Sequence, residues 1–430
     1  MDKLTLLYGQ KEISAPLAPH WRGGIIESGY EFSSLSLEEM TRDALESPID
    51  SEPLHRLVSP GESVCIVFSD ITRSWQQSHI YLPLIVEELE KGGIRAQNIT
   101  LLCALGTHRS HSEEELRSLT GPLYERCNVV DHDCDDRDNL WEVGVTSRGT
   151  RVELNRRALE ADRLILTGGI VFHLMAGYSG GRKSLVPGIS SRDTISQNHS
   201  LSLHPEEGKG SHPLIGCDKL SNNPLHEDMM EALEMVKPDF LVNLVPGIKG
   251  PGAVVAGHYD RAHREGCRLL REFFLIPIEE RRDLVIASAG GFPGDINFYQ
   301  SVKSMINACQ ALKPGGILIL TTACPEGLGN PLMEEMIGDF NSIEEREAFL
   351  RKNYSIGRFI AYYGCELASR YKVFLVSEMN EPSLARAEIR TFSSLNEAVE
   401  EARRQQGDNI SYWILPDGAH SFPKPGTDDN

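Results

Sequence analysis

Short apolar runs alternate with amphipathic stretches through the first 270 residues of the chain. SVCIVFSD (63–70) is an apolar run ending in a polar residue and reads as a strand. YLPLIVEELEKGG (81–93) has helical spacing and a terminal Gly-Gly. NITLLCALG (98–106) is the next strand, and SEEE (112–115) has the S-x-x-E form of a capping box that opens a helix. DRLILTGGI (162–170) and FLVNLVPG (240–247) are further strands. A second series follows. It runs from the strand DLVIASAGG (283–291) to a helix NFYQSVKSMINACQAL (297–312) stopped by KPGG. ILILTTACPEG (317–327) and YKVFLVSEM (371–379) are strands, and SLNEAVEEARRQQG (394–407) is a final helix. This alternation implies parallel βαβ units. It predicts an α/β fold of two doubly wound, Rossmann-like domains, 1–274 and 275–430. The active site is expected in the cleft between them, at the carboxyl ends of strands. The polar tail KPGTDDN is expected to fray.

Composition narrows the function more than the fold. The chain has 430 residues, 40% hydrophobic and 24% charged, which is ordinary for a soluble globular protein. A formal net charge of -19 would repel a phosphate backbone, so nucleic acid is excluded as a partner, while a local basic pocket for a small anion is not. No apolar run approaches the roughly 20 residues of a membrane helix, and the start MDKLTLLYGQKEIS lacks a signal-peptide core. Nine cysteines without a CxxC pair fit a reducing cytosol, so a cytoplasmic location is expected.

Unusual polar residues follow the predicted strand ends. Asp70-Ile71-Thr72-Arg73 could hold a nucleotide hydroxyl and an anion, or Asp70 could simply cap the next helix. His108, in Gly106-Thr107-His108-Arg109, and His173 follow what read as neighbouring strand ends and could converge as acid–base groups. Gly177 to Ser184 (GYSGGRKS) resembles the phosphate loop G-x-x-x-x-G-K-[ST], but Arg182 replaces the glycine before Lys183 and VFHLMA separates the loop from its strand. A nucleotide triphosphatase is therefore disfavoured, although Ser179, Gly180 and Gly181 could present backbone amides to one phosphate. His199 lies on the helix of SRDTISQNHS, as a metal ligand or a surface residue. His204 and His212 read as loop residues, and VDHDCDD (130–136) as a solvated acidic loop. Gln300 and Lys303 share a helix face near its amino terminus, where an anion is favoured over a bare lysine; a plain surface helix is the alternative. No G-x-G-x-x-G follows an early strand, which disfavours a nicotinamide-dependent dehydrogenase.

Taken in order, DITR (70–73), GTHRSHSEEE (106–115), HLMAGYSGGRKSLVPG (173–188), NHS (198–200), NNPLHEDM (222–229) and PGDINFYQSVKS (293–304) resemble the nickel-pincer-nucleotide lactate racemase family. The resemblance implies a nickel-pincer nucleotide covalently attached to Lys183, with nickel held by His199 and His108 and His173 as the acid–base pair. It also implies substrate binding by Arg73, Gln300 and Lys303, and cofactor contacts from the segment carrying Asp70 and Thr72. The implied activity is racemisation or epimerisation of a 2-hydroxy acid by hydride transfer through a 2-keto acid, with the cofactor-making enzymes as partners. A non-catalytic binding or sensor protein that keeps the nucleotide pocket is the alternative. The chain departs from the family in having no tryptophan within YSIGRFIAYY (354–363) and in following DITR with Ser74-Trp75 where proline is usual. A larger acid, aryl-substituted or sugar-derived, is expected as readily as lactate.

Overall fold

The computed structural model describes residues 3–30, 34–247 and 250–426. The chain forms two compact units. One takes residues 34–202 and 212–273, and the other takes 3–30, 203–211 and 274–426. The chain therefore enters the second unit three times, and the first thirty residues do not belong with the unit that follows them, as the boundaries 1–274 and 275–430 had required. The strand Arg22–Ile25 pairs in parallel with Ser411–Leu415. Lys3–Tyr8, paired in a hairpin with Lys11–Pro16, alternates exposed and buried residues, and its Leu4 and Leu6 join a core with Leu284, Ile286 and Ile414. Such pairing is invisible locally because the partners lie nearly four hundred positions apart.

The first unit is built on a six-stranded sheet in the order Gly250–Gly257, Phe240–Gly247, Arg163–Gly169, Val64–Ser69, Ile99–Ala104, Asn128–Asp131. All its pairings are parallel except that of Gly250–Gly257, an antiparallel edge. Val64 to Phe68 are buried on both faces of their strand, the pattern of a parallel sheet covered on each side. The chain leaves Val64–Ser69 towards one edge and Arg163–Gly169 towards the other. The topological switch point, where doubly wound sheets bind ligands, lies between the carboxyl ends of these two strands. Both lead into the loops that carry the predicted chemistry.

The second unit repeats the plan with an all-parallel sheet in the order Ile389–Phe392, Lys372–Val376, Leu312–Thr321, Arg282–Ser288, Ser411–Leu415, Arg22–Ile25. Its switch point lies between Arg282–Ser288 and Ser411–Leu415. The helix Phe298–Cys309 ends earlier than the sequence suggests, and KPGG is taken into the strand Leu312–Thr321 as an irregularity of register, with Arg282 opposite Leu312 and Leu284 opposite Ile317. The tail expected to fray from residue 424 is paired through Pro425, because Phe422–Pro425 runs parallel to Leu275–Ile278; residues 427–430 lie outside the described residues. Among the described residues no helix is long and apolar enough to cross a membrane.

Candidate active site

Asp70 follows the strand Val64–Ser69 and caps the 3-10 turn Ile71–Gln76. It is only 4% exposed. Its Oδ1 accepts from the Thr72 amide at 3.1 Å and the Thr72 hydroxyl at 2.6 Å, while Oδ2 pairs with His108 Nδ1. Burial alone would raise the pKa of this carboxyl, but hydrogen bonds from His108 and Thr72 outweigh it and hold it below its ordinary value. Asp70 is thus an ionised positioner. Both its oxygens are engaged within the protein, Oδ1 by Thr72 and Oδ2 by His108, so its first role is to orient these two residues. An Nδ1–H donated to Asp70 leaves the His108 Nε2 lone pair as a base.

His108 and His173 were expected from neighbouring strand ends, yet Val64–Ser69 lies between their strands. The loops are joined differently. The Gly106 amide donates to the Gly188 carbonyl at 2.9 Å, tying the His108 turn to the end of the lysine loop. His111 adds a second tie that the sequence reading missed. Its side chain is 1% exposed, Nε2 accepts from the Ile71 amide at 3.0 Å, and Nδ1 donates to Asp131 Oδ1 at 2.8 Å. Cys103, His111 and Asp131 lie close enough to suggest a metal site. Both ring nitrogens of His111 are already committed, however, so the cluster serves as a clamp on the Asp70 turn. The acidic loop holds a similar group, Asp133, Cys134 and Asp135, but Arg192 neutralises Asp135 with bonds of 2.8 and 2.7 Å.

His173 lies in a two-residue ladder, Phe172–His173 against Gly177–Tyr178. Gly177 has φ +79, and a Cβ there would stand 2.2 Å from the Lys219 carbonyl oxygen, so only glycine closes this turn. His173 Nδ1 accepts from the Met175 and Ala176 amides at 3.2 and 3.1 Å. In the neutral ring the proton is therefore on Nε2, which faces Lys183 Nζ at 3.2 Å. An Nε2–H needs an acceptor, so the geometry calls for an uncharged amine. Burial, followed by the charges of Arg182 and Arg73, lowers the Lys183 pKa to about 7. Burial, with Lys183 next, also holds His173 well below its ordinary value. Arg73 is exposed and donates to the Thr72 carbonyl and hydroxyl at 3.3 and 3.2 Å, and its charge reaches both groups.

The glycine loop works as a scaffold. The Ser179 amide donates to the Val171 carbonyl and the Gly181 amide to Asn243 Oδ1, each at 2.9 Å, so neither is available to a phosphate. This corrects the anion-cradle expectation for Ser179 and Gly181. Gly180 has φ +71 and caps the turn Gly181–Ser184 that presents Lys183. Arg182, the residue that spoiled the phosphate-loop pattern, is fully buried. It donates to the Ala176 carbonyl at 2.7 Å and lies 3.0 Å from His263 Nε2.

His199 is 1% exposed on the helix Arg192–Ser200, which Ser191 caps. Its Nδ1 donates to the Ile195 carbonyl at 2.9 Å, which fixes the tautomer with a lone pair on Nε2. Burial, with Lys183 nearby, pulls its pKa to about 3, so the ring is a neutral donor fit for a transition metal. The preceding Asn198 donates to Asp228 at 2.8 Å, and Asn223 donates to the Met175 carbonyl at 2.7 Å. NNPLHEDM thereby braces both histidine segments.

In the second unit Asn297 caps the helix by accepting from the Gln300 amide at 3.0 Å. Lys303 Nζ donates to Gln300 Oε1 at 3.0 Å, so the two side chains stand together as expected.

Residues 8–210 match the family model described as the lactate racemase N-terminal domain, and residues 278–422 match the lactate racemase C-terminal domain. The chain is 31% identical over 432 residues to the lactate racemase of Thermoanaerobacterium thermosaccharolyticum, covering 97% of this chain and 98% of that one. It is 29% identical over 430 residues to the lactate racemase of Lactiplantibacillus plantarum, covering 97% and 99%. The structure of the T. thermosaccharolyticum lactate racemase apoprotein superposes with a TM-score of 0.87 at 29% identity, over 98% of this chain and all of that one.

Proposed function

The chain belongs to the lactate racemase family and is an isomerase of the racemase type; on that premise we propose that it inverts C2 of a 2-hydroxy acid, lactate or a larger one, using a nickel-pincer nucleotide. The donor set fits such a group. Lys183 offers an uncharged amine as the covalent tether, and His199 offers a fixed Nε2 lone pair to nickel, which accepts imidazole. Asp70, Thr72 and Gly180 border the same loops and are assigned to cofactor contact. When bound, the group supplies a hydride acceptor, so that C2 passes through a planar 2-keto acid.

One observation carries the acid–base assignment: the two histidines are held in opposite tautomers. Asp70 accepts a hydrogen bond from Nδ1–H of His108 and leaves a base at Nε2, whereas two amides fill Nδ1 of His173 and leave a proton at Nε2. Inversion needs one group that removes the hydroxyl proton and another that returns one. His108 is ready for the first role and His173 for the second, and they exchange roles in the reverse direction. Arg73, Gln300 and Lys303 are assigned to the substrate carboxylate, for which the guanidinium fork and the ammonium are suited.

Expression together with the cofactor-making enzymes tests the reading. Intact mass should rise at Lys183, nickel should approach one per chain, and chiral chromatography should show lactate or another 2-hydroxy acid racemised. Lys183→Ala should lose both the added mass and the activity. An active protein with an unmodified Lys183 would contradict the proposal.

A further inference from the structure

The switch point of the second unit carries a group that the assignments above leave unused. The loop after Ser411–Leu415 is pinned on two sides: the Gly418 amide donates to the Ser288 carbonyl at 2.8 Å, and Asn307 Nδ2 donates to the Gly418 carbonyl at 2.8 Å. Within it, His420 Nδ1 stands 2.9 and 3.1 Å from the two carboxylate oxygens of Asp417. The side chain of His420 is 70% exposed, so Nε2 is presented at the surface. Gly290, at the end of the neighbouring strand, has φ +93, and a Cβ there would stand 3.1 Å from Asp417 Oδ1; glycine leaves the carboxylate its room.

The loop packs on one stripe of the helix Phe298–Cys309. Asn307 bonds Gly418, and a Cβ on Gly418 would lie 3.0 Å from Ser304 Cβ. Gln300, Lys303, Ser304 and Asn307 follow the spacing of a single helix face. His420 is thus carried on the same side of that helix as Gln300 and Lys303, and the Lys303 charge bears on it. Its bond to Asp417 raises its pKa against a partial desolvation, and an anion arriving at the exposed Nε2 favours protonation further; the protonated ring donates from both nitrogens. A carboxylate held by Gln300 and Lys303 would lie on the side of the helix to which the loop carries His420.

We infer that His420, oriented by Asp417, is a further substrate-binding residue and donates from Nε2 to the carboxylate of the 2-hydroxy acid beside Gln300 and Lys303. The inference rests on the proposed racemase reading and adds to it a residue and its orienting partner. The exposed position makes substitutions tolerable to the fold, so binding can be read without confusion from unfolding.

The test is steady-state racemisation by the cofactor-loaded enzyme, with each variant checked for an unchanged melting temperature. His420→Ala should raise KM for the 2-hydroxy acid roughly tenfold, the value of one charge-assisted hydrogen bond, and KM should rise by a larger factor than kcat falls. His420→Gln should recover part of that loss, since its amide still donates. Asp417→Asn should raise KM a few-fold by misorienting the ring. A wild-type enzyme that racemises the acid while both His420 variants keep its KM would overturn this inference alone. Loaded wild-type protein that racemises no 2-hydroxy acid would overturn it together with the racemase reading.

Discussion

At its switch point the first unit holds His173, Lys183 and His199 in buried or half-buried surroundings, whereas the second presents Gln300, Lys303 and His420 at or near its surface. Burial is the main cause of the low pKa of all three groups in the first set. In the second, the hydrogen bond that His420 donates to Asp417 is the main influence on its pKa and acts in the opposite direction. One plan of sheet and loops therefore yields two kinds of chemistry. Neutral groups with fixed tautomers suit covalent attachment, metal ligation and proton transfer. Charged, solvated donors suit the capture of an anion, where each contact changes affinity more than rate.

The sharpest way to break this contrast is to disable the two fixed tautomers. His108→Gln and His173→Gln should each cut kcat by roughly a hundred to ten thousandfold, the usual worth of a general acid or base. The measurement is initial rates from both enantiomers by chiral chromatography, in protein confirmed to carry the tether. Activity within tenfold of wild type in either variant would remove the two-histidine scheme.

A matched pair of carboxylates sharpens the same contrast. Asp70→Asn should place an amide donor opposite His108 Nδ1, move the ring proton to Nε2 and so remove the base; kcat should fall roughly hundredfold. Asp417→Asn makes the same chemical change on the other unit, and its effect should remain a few-fold and fall mainly on KM. Equal effects on kcat would mean that the two dyads do the same work.

How far the sequence foretold these features depends on whether the signal was local. The strands Val64–Ser69, Ile99–Ala104 and Phe240–Gly247 and the capping box at Ser112 were legible because apolar runs and caps are written in a few consecutive residues. Lys183, His173 and His199 stood out only through the motif around them. Their tautomers did not, because these depend on the amides of Met175 and Ala176 and the carbonyl of Ile195. His111 was overlooked beside His108, since its partner Asp131 closes a different strand. The Asp417–His420 pair has a local spacing of three but no neighbouring pattern to flag it. The strand Arg22–Ile25 escaped notice for the most physical of reasons: its hydrogen-bonding partner is at the far end of the chain.

Acid stability gives a smaller test, centred on two buried histidines that feel the charge of Arg182, His263 in contact with it and His226 without a hydrogen bond to it. Burial, followed by the charge of Arg182, lowers the pKa of His263 to about 3 and of His226 to about 2. In the unfolded chain both titrate near 6.5. Above that pH both states are neutral and the histidines contribute no pH dependence. As pH falls below it, the unfolded chain takes up protons that the folded protein refuses, so stability falls, by about 2 kcal/mol per histidine at pH 5. Urea denaturation of the unloaded protein at pH 7 and pH 5 measures the drop, and His263→Gln should lessen it by about that amount. An identical drop in the variant would show that His263 accepts its proton in place.

The smallest expected effect has the opposite sign and belongs to the second unit. Asp417 raises the His420 pKa, against the opposing influences of burial and Lys303. The stabilisation from this pair is therefore complete below the unfolded value near 6.5 and is lost as pH rises through the folded value. With His420 largely in solvent, screening limits it to ~0.5 kcal/mol or less. Denaturation curves would barely register it, so the titration itself is the better measurement. The His420 ring protons, followed by NMR and assigned by their absence in His420→Gln, should titrate above 6.5 and shift downward in Asp417→Asn. A titration below 6.5 would mean that desolvation and Lys303 together outweigh Asp417 and that the ring presents a lone pair at neutral pH. The second unit would then share the neutral chemistry of the first, and the contrast between them would rest on burial alone.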